Sequence, residues 1–146
     1  MISFRNVQNN PLFQDFVMNH SCSDILEQKN DTFRIILPGD YLAAIFDPED
    51  YMSLNSNYIF YNERKCNEIG LTDEERFSFI AHELGHFYDT TDRNGGNQQD
   101  REINADNFAV KLGLGEYLLS ALKKLSIVFS GVDKERIDER IRILSE

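Results

Sequence analysis

Tryptophan is absent from this 146-residue chain, only three prolines, eight glycines and two cysteines occur, and no uninterrupted apolar run is long enough to cross a membrane. With so little proline and glycine there is no linker-like stretch, and no repeat is visible, so residues 1–146 are expected to form a single domain large enough for a real core. Two cysteines, Cys22 and Cys66, cannot build a disulfide framework, and reduced thiols are expected for both. His20 stands close to Cys22, but no further Cys or His lies nearby to complete a second ligand set. Lys123 and Lys124 interrupt the best apolar stretch, and Met1–Asn10 lacks the basic region and continuous apolar core of a signal peptide. A cytoplasmic protein with no membrane partner is the expectation.

Positive charge is also short, with 15 Lys and Arg against 25 Asp and Glu and a formal net charge of −10. Phosphate backbones are gripped by clustered Lys and Arg, so no nucleic acid is expected as a direct partner, and basic peptides are favoured over acidic ones. The aromatic complement, 11 Phe and 6 Tyr, is assigned mainly to packing.

Against these absences stands one dense cluster of chemistry, His82-Glu83-Leu84-Gly85-His86. Two histidines four apart on a helix share a face, with Cβ atoms about 5–6 Å apart, so both imidazoles can reach one ion. Glu83 then lies beside the metal and not on it. Hydrolysis requires that offset, because the ion keeps an open position for water while a carboxylate waits to take the proton. Thr72-Asp73-Glu74-Glu75 is a capping box that should start the helix, its acids suited to the positive end of the dipole. Phe77, Ile80, Ala81, Leu84 and Phe87 recur at helical spacing, and the turn-rich run 90–97 should end the helix near Asp89.

Zinc needs a third protein ligand. A second helix is expected from an N-cap at Asp100 to Leu112, closed by Gly113. On it Glu102 and Asp106 are four apart and project together, while Ala105 and Ala109 keep the surface small enough for close approach to the first helix. Glu102 can complete a His82, His86, Glu102 set, and Asp106 can accept the N–H of a ligating histidine and fix its tautomer. Asp92 is the main rival, at the position that an extended HExxHxxGxxH motif uses for its third ligand. That motif requires a glycine where this chain has Asp89, so Glu102 ranks first, Asp92 second and Asp106, as a direct ligand, third.

Upstream, Thr32–Leu37 and Asn57–Tyr61 read as strands, and Tyr41–Phe46 as another short one. Residues 57–61 form either a sheet edge, able to pair with an extended peptide next to the zinc, or an interior strand with both sides taken. Downstream, Leu118, Leu122 and Leu125 mark a third helix, and Ile137, Ile141 and Leu144 mark a fourth after Asp133. These apolar positions are assigned to the core, so no oligomeric state follows from them. The fold class is α+β, with a small β-sheet packed on an active-site helix and additional C-terminal helices.

These residues resemble the gluzincin clan of metallopeptidases, in which HExxH and a downstream glutamate bind zinc. The stretch Glu102-x-x-Ala105-Asp106-x-Phe108-Ala109, continuing into Leu118–Leu125 and the late Arg140-Ile141-Arg142-Ile143-Leu144, looks like the CAAX prenyl protease and HtpX-like family. In that family a much longer insertion usually separates the two motifs. The short gap here is more similar to the ImmA/IrrE-type metallopeptidases, which cleave repressor proteins and often carry Met-Pro where this chain has Leu112-Gly113-Leu114. The resemblance covers residues 55 to 125 and implies a zincin-like fold, zinc as cofactor, peptidase activity and Glu102 as a ligand.

The expected activity is that of a zinc-dependent endopeptidase acting on a protein or peptide substrate, with water activated on the ion and Glu83 as general base. Tyr61 and Tyr88 are the tyrosines nearest in sequence for steadying an oxyanion. Two other classes account for the same residues. One is a zinc-containing regulatory or binding domain that recognises a partner protein without cleaving it; the other is a helical interaction module whose HExxH is fortuitous. A base beside an open position has no use in the first of these.

Overall fold

The computed structural model describes residues 3–5, 32–36, 51–55, 58–89 and 97–146. The chain divides into two compact units, Met1–Lys65 and Cys66–Glu146. Strands occupy the first and helices dominate the second, an α+β arrangement.

In the first unit, β1 (Ser3–Arg5), β2 (Thr32–Ile36), β3 (Met52–Asn55) and β4 (Tyr58–Tyr61) form a sheet in the order β1-β2-β4-β3. β1 and β2 are parallel, β2 and β4 are parallel, and β3 runs antiparallel to β4 with Leu54 opposite Ile59. β4 therefore has a neighbour on each side, and Ile59 is fully buried. This overturns the edge-strand alternative for the described part of that segment, Tyr58–Tyr61, because both rows of β4 backbone groups are committed to the ladder. The segment Tyr41–Phe46, together with His20 and Cys22, lies outside the described residues.

A short helix, α1 (Glu63–Glu68), crosses the division between the units. Asn62 starts it, its Oδ1 accepting the Lys65 N–H at 3.2 Å as an N-cap. The second unit then holds α2 (Asp73–Tyr88), α3 (Gln98–Lys111), α4 (Gly115–Val128) and α5 (Gly131–Leu144). No helix among the described residues is long and apolar enough to cross a membrane.

The capping box at the start of α2 is complete. Thr72 Oγ1 accepts the Glu75 N–H at 3.2 Å, and Glu75 Oε1 accepts the Thr72 N–H at 3.1 Å. Lys124 on α4 reaches the same oxygen at 2.6 Å and also donates to the Gly70 carbonyl at 2.8 Å, so one lysine ties α4 to the entry of α2. Burial pushes the Glu75 carboxyl up, but the bonds from Lys124 and Thr72 outweigh it and hold the group below its ordinary value.

α3 begins earlier than the sequence suggests. The cap is Asn97, whose Oδ1 accepts the Asp100 N–H at 2.9 Å while its Nδ2 donates to Asp100 Oδ2 at 2.8 Å. Asn caps as well as Asp does, and Asp100 gains more as the third helical residue, where its charge meets the helix dipole and its side chain reaches back to the cap. The other end is as expected, with Leu112 as C-cap and Gly113 in the left-handed region at φ +84°.

α2 lies against α3 and α4, while α4 also packs on α3 and α5. Phe77, Ile80, Ala81 and Leu84 bury the apolar stripe of α2, and Leu118, Ala121 and Leu122 supply the matching face of α4. The α2–α3 contact is closest at Gly85, where an added Cβ would fall 2.8 Å from both the Ala105 Cα and its carbonyl oxygen, and 2.9 Å from Phe108 Cβ. These helices meet backbone to backbone, so the neighbours cannot yield by rotating a side chain.

Gly85→Ala tests that contact. A helix-interior alanine gains about 0.5–1 kcal/mol over glycine, but forcing a methyl against a backbone costs roughly 1–3 kcal/mol. The expected outcome is a lower melting temperature, read by circular dichroism; an equal or higher one would contradict the close approach.

Candidate metal centre

Two helices deliver the chemistry. α2 presents His82, Glu83 and His86, and α3 presents Glu102 and Asp106, with the Gly85–Ala105 contact between them. Three donor groups converge, Glu102 turning one carboxylate oxygen to each ring. His82 Nε2 lies 3.0 Å from Glu102 Oε2 and 3.1 Å from His86 Nε2, and His86 Nε2 lies 3.3 Å from Glu102 Oε1. The two rings stand perpendicular, with centroids 4.6 Å apart. Among the described residues, these three form the one group of His, Cys, Asp or Glu donors close enough to share an ion.

Their spacing suits zinc. Bonds of about 2.0–2.2 Å around a tetrahedral ion give ligand–ligand edges of roughly 3.3–3.6 Å, close to the 3.1 Å between the two Nε2 atoms and the 3.0 Å from His82 Nε2 to Glu102 Oε2. Two imidazoles and one carboxylate are also the donor types that zinc takes when one position stays open.

Behind the triangle, Asp106 Oδ1 lies 2.8 Å from His82 Nδ1. Asp106 is 3% exposed and held below its ordinary pKa: burial pushes it up, but the hydrogen bonds from His82 and Arg140 prevail. It is therefore an acceptor. The hydrogen-bond network assigns the proton to Nδ1 and turns Nε2 toward Glu102 and His86. Arg140 on α5 completes the set, with Nε donating to Asp106 Oδ2 and Nη2 donating to Asp106 Oδ1, both at 2.8 Å.

Glu102 sits far below the ordinary carboxylate range, because its bonds to His82 and His86 outweigh the opposing effect of burial. Burial alone would lower the His82 imidazole, yet the bonds to Asp106 and Glu102 raise it to about 9. Two carboxylates that bind a proton on His82 so firmly would favour a divalent cation there for the same electrostatic reason. Glu83 is raised above its ordinary value, chiefly by burial and also by the nearby Glu102, with the histidines and Arg140 opposing.

Of the residues singled out from the sequence, His82, His86 and Glu102 come together, and Asp106 stands one bond behind them, so it is not a direct donor in this triangle. Asp92 lies outside the described residues, as do residues 90–96. Tyr88 is packed against Phe108 at a centroid distance of 5.7 Å. Tyr61 belongs to β4 in the first unit. Sequence reasoning missed what Arg140 and Gly85 do. Arg140 could have been found: Ile137, Arg140, Ile141 and Leu144 follow i, i+3, i+4, i+7, which places one arginine inside an apolar stripe.

No protein-family model matches the chain, and neither the curated proteins nor the solved structures contain a match.

These charges fix a pH dependence for chelator-treated protein. The His82 pKa rises from 6.5 in the unfolded chain to about 9, so its contribution is complete below 6.5 and is lost as pH climbs through 9. Glu102 is depressed from 4.5, so its contribution holds above that value and is lost as pH falls. Thermal melts should peak between those limits and decline toward alkaline pH, and zinc should bind with release of a proton over the alkaline limb. Stability that rises steadily above pH 6.5 would contradict this electrostatic account.

Proposed function

We propose that this chain is a zinc-dependent endopeptidase, with His82, His86 and Glu102 as ligands and Glu83 as general base. The observation that supports it most is the donor triangle: three groups of the types zinc prefers, 3.0–3.3 Å apart, with the far nitrogen of one ring tied to a buried carboxylate. A zincin-like fold is the finer form of the α+β architecture that goes with this reading.

Bound zinc would supply Lewis acidity, polarising a scissile carbonyl and acidifying a water. The chain's own groups do the rest. His82 and His86 contribute neutral nitrogen donors and Glu102 one negative charge, leaving net positive charge to attract a carbonyl oxygen. Glu83 follows His82 directly in sequence without belonging to the triangle, so its carboxylate is available to take a proton from the attacking water and hand it to the departing amine nitrogen. Its proton affinity, raised chiefly by burial, suits the first step, since a stronger base accepts a proton more readily. The substrate is a protein or peptide, and the acidic balance of the chain favours basic segments.

Two variants separate metal binding from chemistry. Glu83→Gln is expected to keep one zinc per chain and to lose roughly 10²–10⁴-fold in the rate of casein or peptide-library hydrolysis, the usual worth of a general base. His82→Ala should lose both metal and activity. A Glu83→Gln protein that cuts as fast as wild type would refute the mechanism. Zinc-loaded wild type that binds a partner protein without cutting any peptide would instead support the regulatory or binding domain.

A further inference from the structure

We propose that Arg140, on the C-terminal helix, is a positioning residue for the metal centre, holding Asp106 and Glu102 in the arrangement that aims His82 at the ion. The inference rests on reading His82, His86 and Glu102 as ligands.

One planar guanidinium serves two carboxylates. Nε and Nη2 grip the two oxygens of Asp106 in a fork, both at 2.8 Å, and Nη1 lies 3.5 Å from Glu102 Oε2. Asp106 Oδ1 is shared, receiving Arg140 Nη2 on one side and His82 Nδ1 on the other. The fork fixes the carboxylate plane, and the plane fixes where the ring points. Without it Asp106 would turn about its last bond, and Nδ1 of His82 would lose the acceptor that keeps Nε2 facing the triangle.

Lysine cannot replace this geometry, because a point charge on a flexible stem has no fork to match two carboxylate oxygens. The Arg140 side chain is only 12% exposed, so water is a poor substitute. Arg140 also belongs to α5, whereas the candidate ligands lie on α2 and α3, so the seating of the C-terminal helix bears on the site from outside it. Arg136, one turn earlier on α5, offers an internal comparison. It too reaches α3, its Nη1 donating to Gln98 Oε1 at 3.2 Å and its carbonyl accepting from Gln99 at 3.1 Å, but it touches none of the candidate ligands or Asp106.

The test uses the full chain with cobalt(II) as probe, comparing wild type, Arg140→Lys, Arg140→Met and Arg136→Met. Affinity is read by competition with a chromophoric chelator, coordination by the visible ligand-field spectrum, and stability by thermal melts. Both Arg140 variants should weaken cobalt binding by about 10–100-fold and alter the spectrum, while Arg136→Met leaves affinity and spectrum unchanged even where it lowers the melting temperature. If Arg140→Met does not fold, Arg140→Lys carries the comparison. Arg140→Lys binding cobalt as tightly as wild type with an unaltered spectrum would overturn the positioning role and leave the ligand set standing, as would an equal loss in Arg136→Met. Wild type that binds no cobalt would overturn the ligand set itself.

Discussion

The candidate centre depends on the distance between two helix backbones. His82 and His86 sit on α2 and Glu102 and Asp106 on α3, and neither helix alone carries three converging donors. The pair meets at Gly85 and Ala105, with no room for even one added carbon. A side chain at that crossing would have to push α3 off α2, and with it carry Glu102 away from the imidazoles. The glycine inside the HExxH run is therefore as much part of the site as the histidines, although it has no side chain to offer.

Charge is layered around that contact. Glu102 faces the histidines directly, Asp106 stands behind His82, and Arg140 stands behind Asp106. Each group is partly or wholly buried, so each would be costly to leave without its neighbour. The order also explains the directions of the pKa shifts. Both carboxylates are held ionised, and His82 is drawn toward the charged form despite being 6% exposed.

Local signals were legible in the sequence and distant ones were not. The capping box at Thr72, the apolar stripe of α2 and the stop at Gly113 depend on residues within a turn or two, and each reads directly. The pairing of Glu102 and Asp106 on one face is likewise a consequence of helical spacing. Asn97 was mistaken for part of a turn because Asn serves turns and caps equally, and only the bonds to Asp100 distinguish them. α1 escaped notice for a related reason, since its Asn62 cap precedes just six helical residues. β1 and β3 are too short to show alternation, and the placement of β4 inside the sheet depends on which strands pair, a property no single segment encodes. The place of Arg140 inside the apolar stripe of α5 is legible in the sequence, but its partner is not, since the carboxylate it grips lies 34 residues away.

X-ray absorption at the zinc edge, on protein loaded with one equivalent of the ion, is the most direct test. The account predicts a first shell at about 2.0–2.2 Å built from two imidazole nitrogens and carboxylate oxygen, with no sulfur, and loss of the imidazole scattering when His82 and His86 are both replaced. Zinc that does not bind, or a shell of water oxygens unchanged by that double replacement, would contradict it.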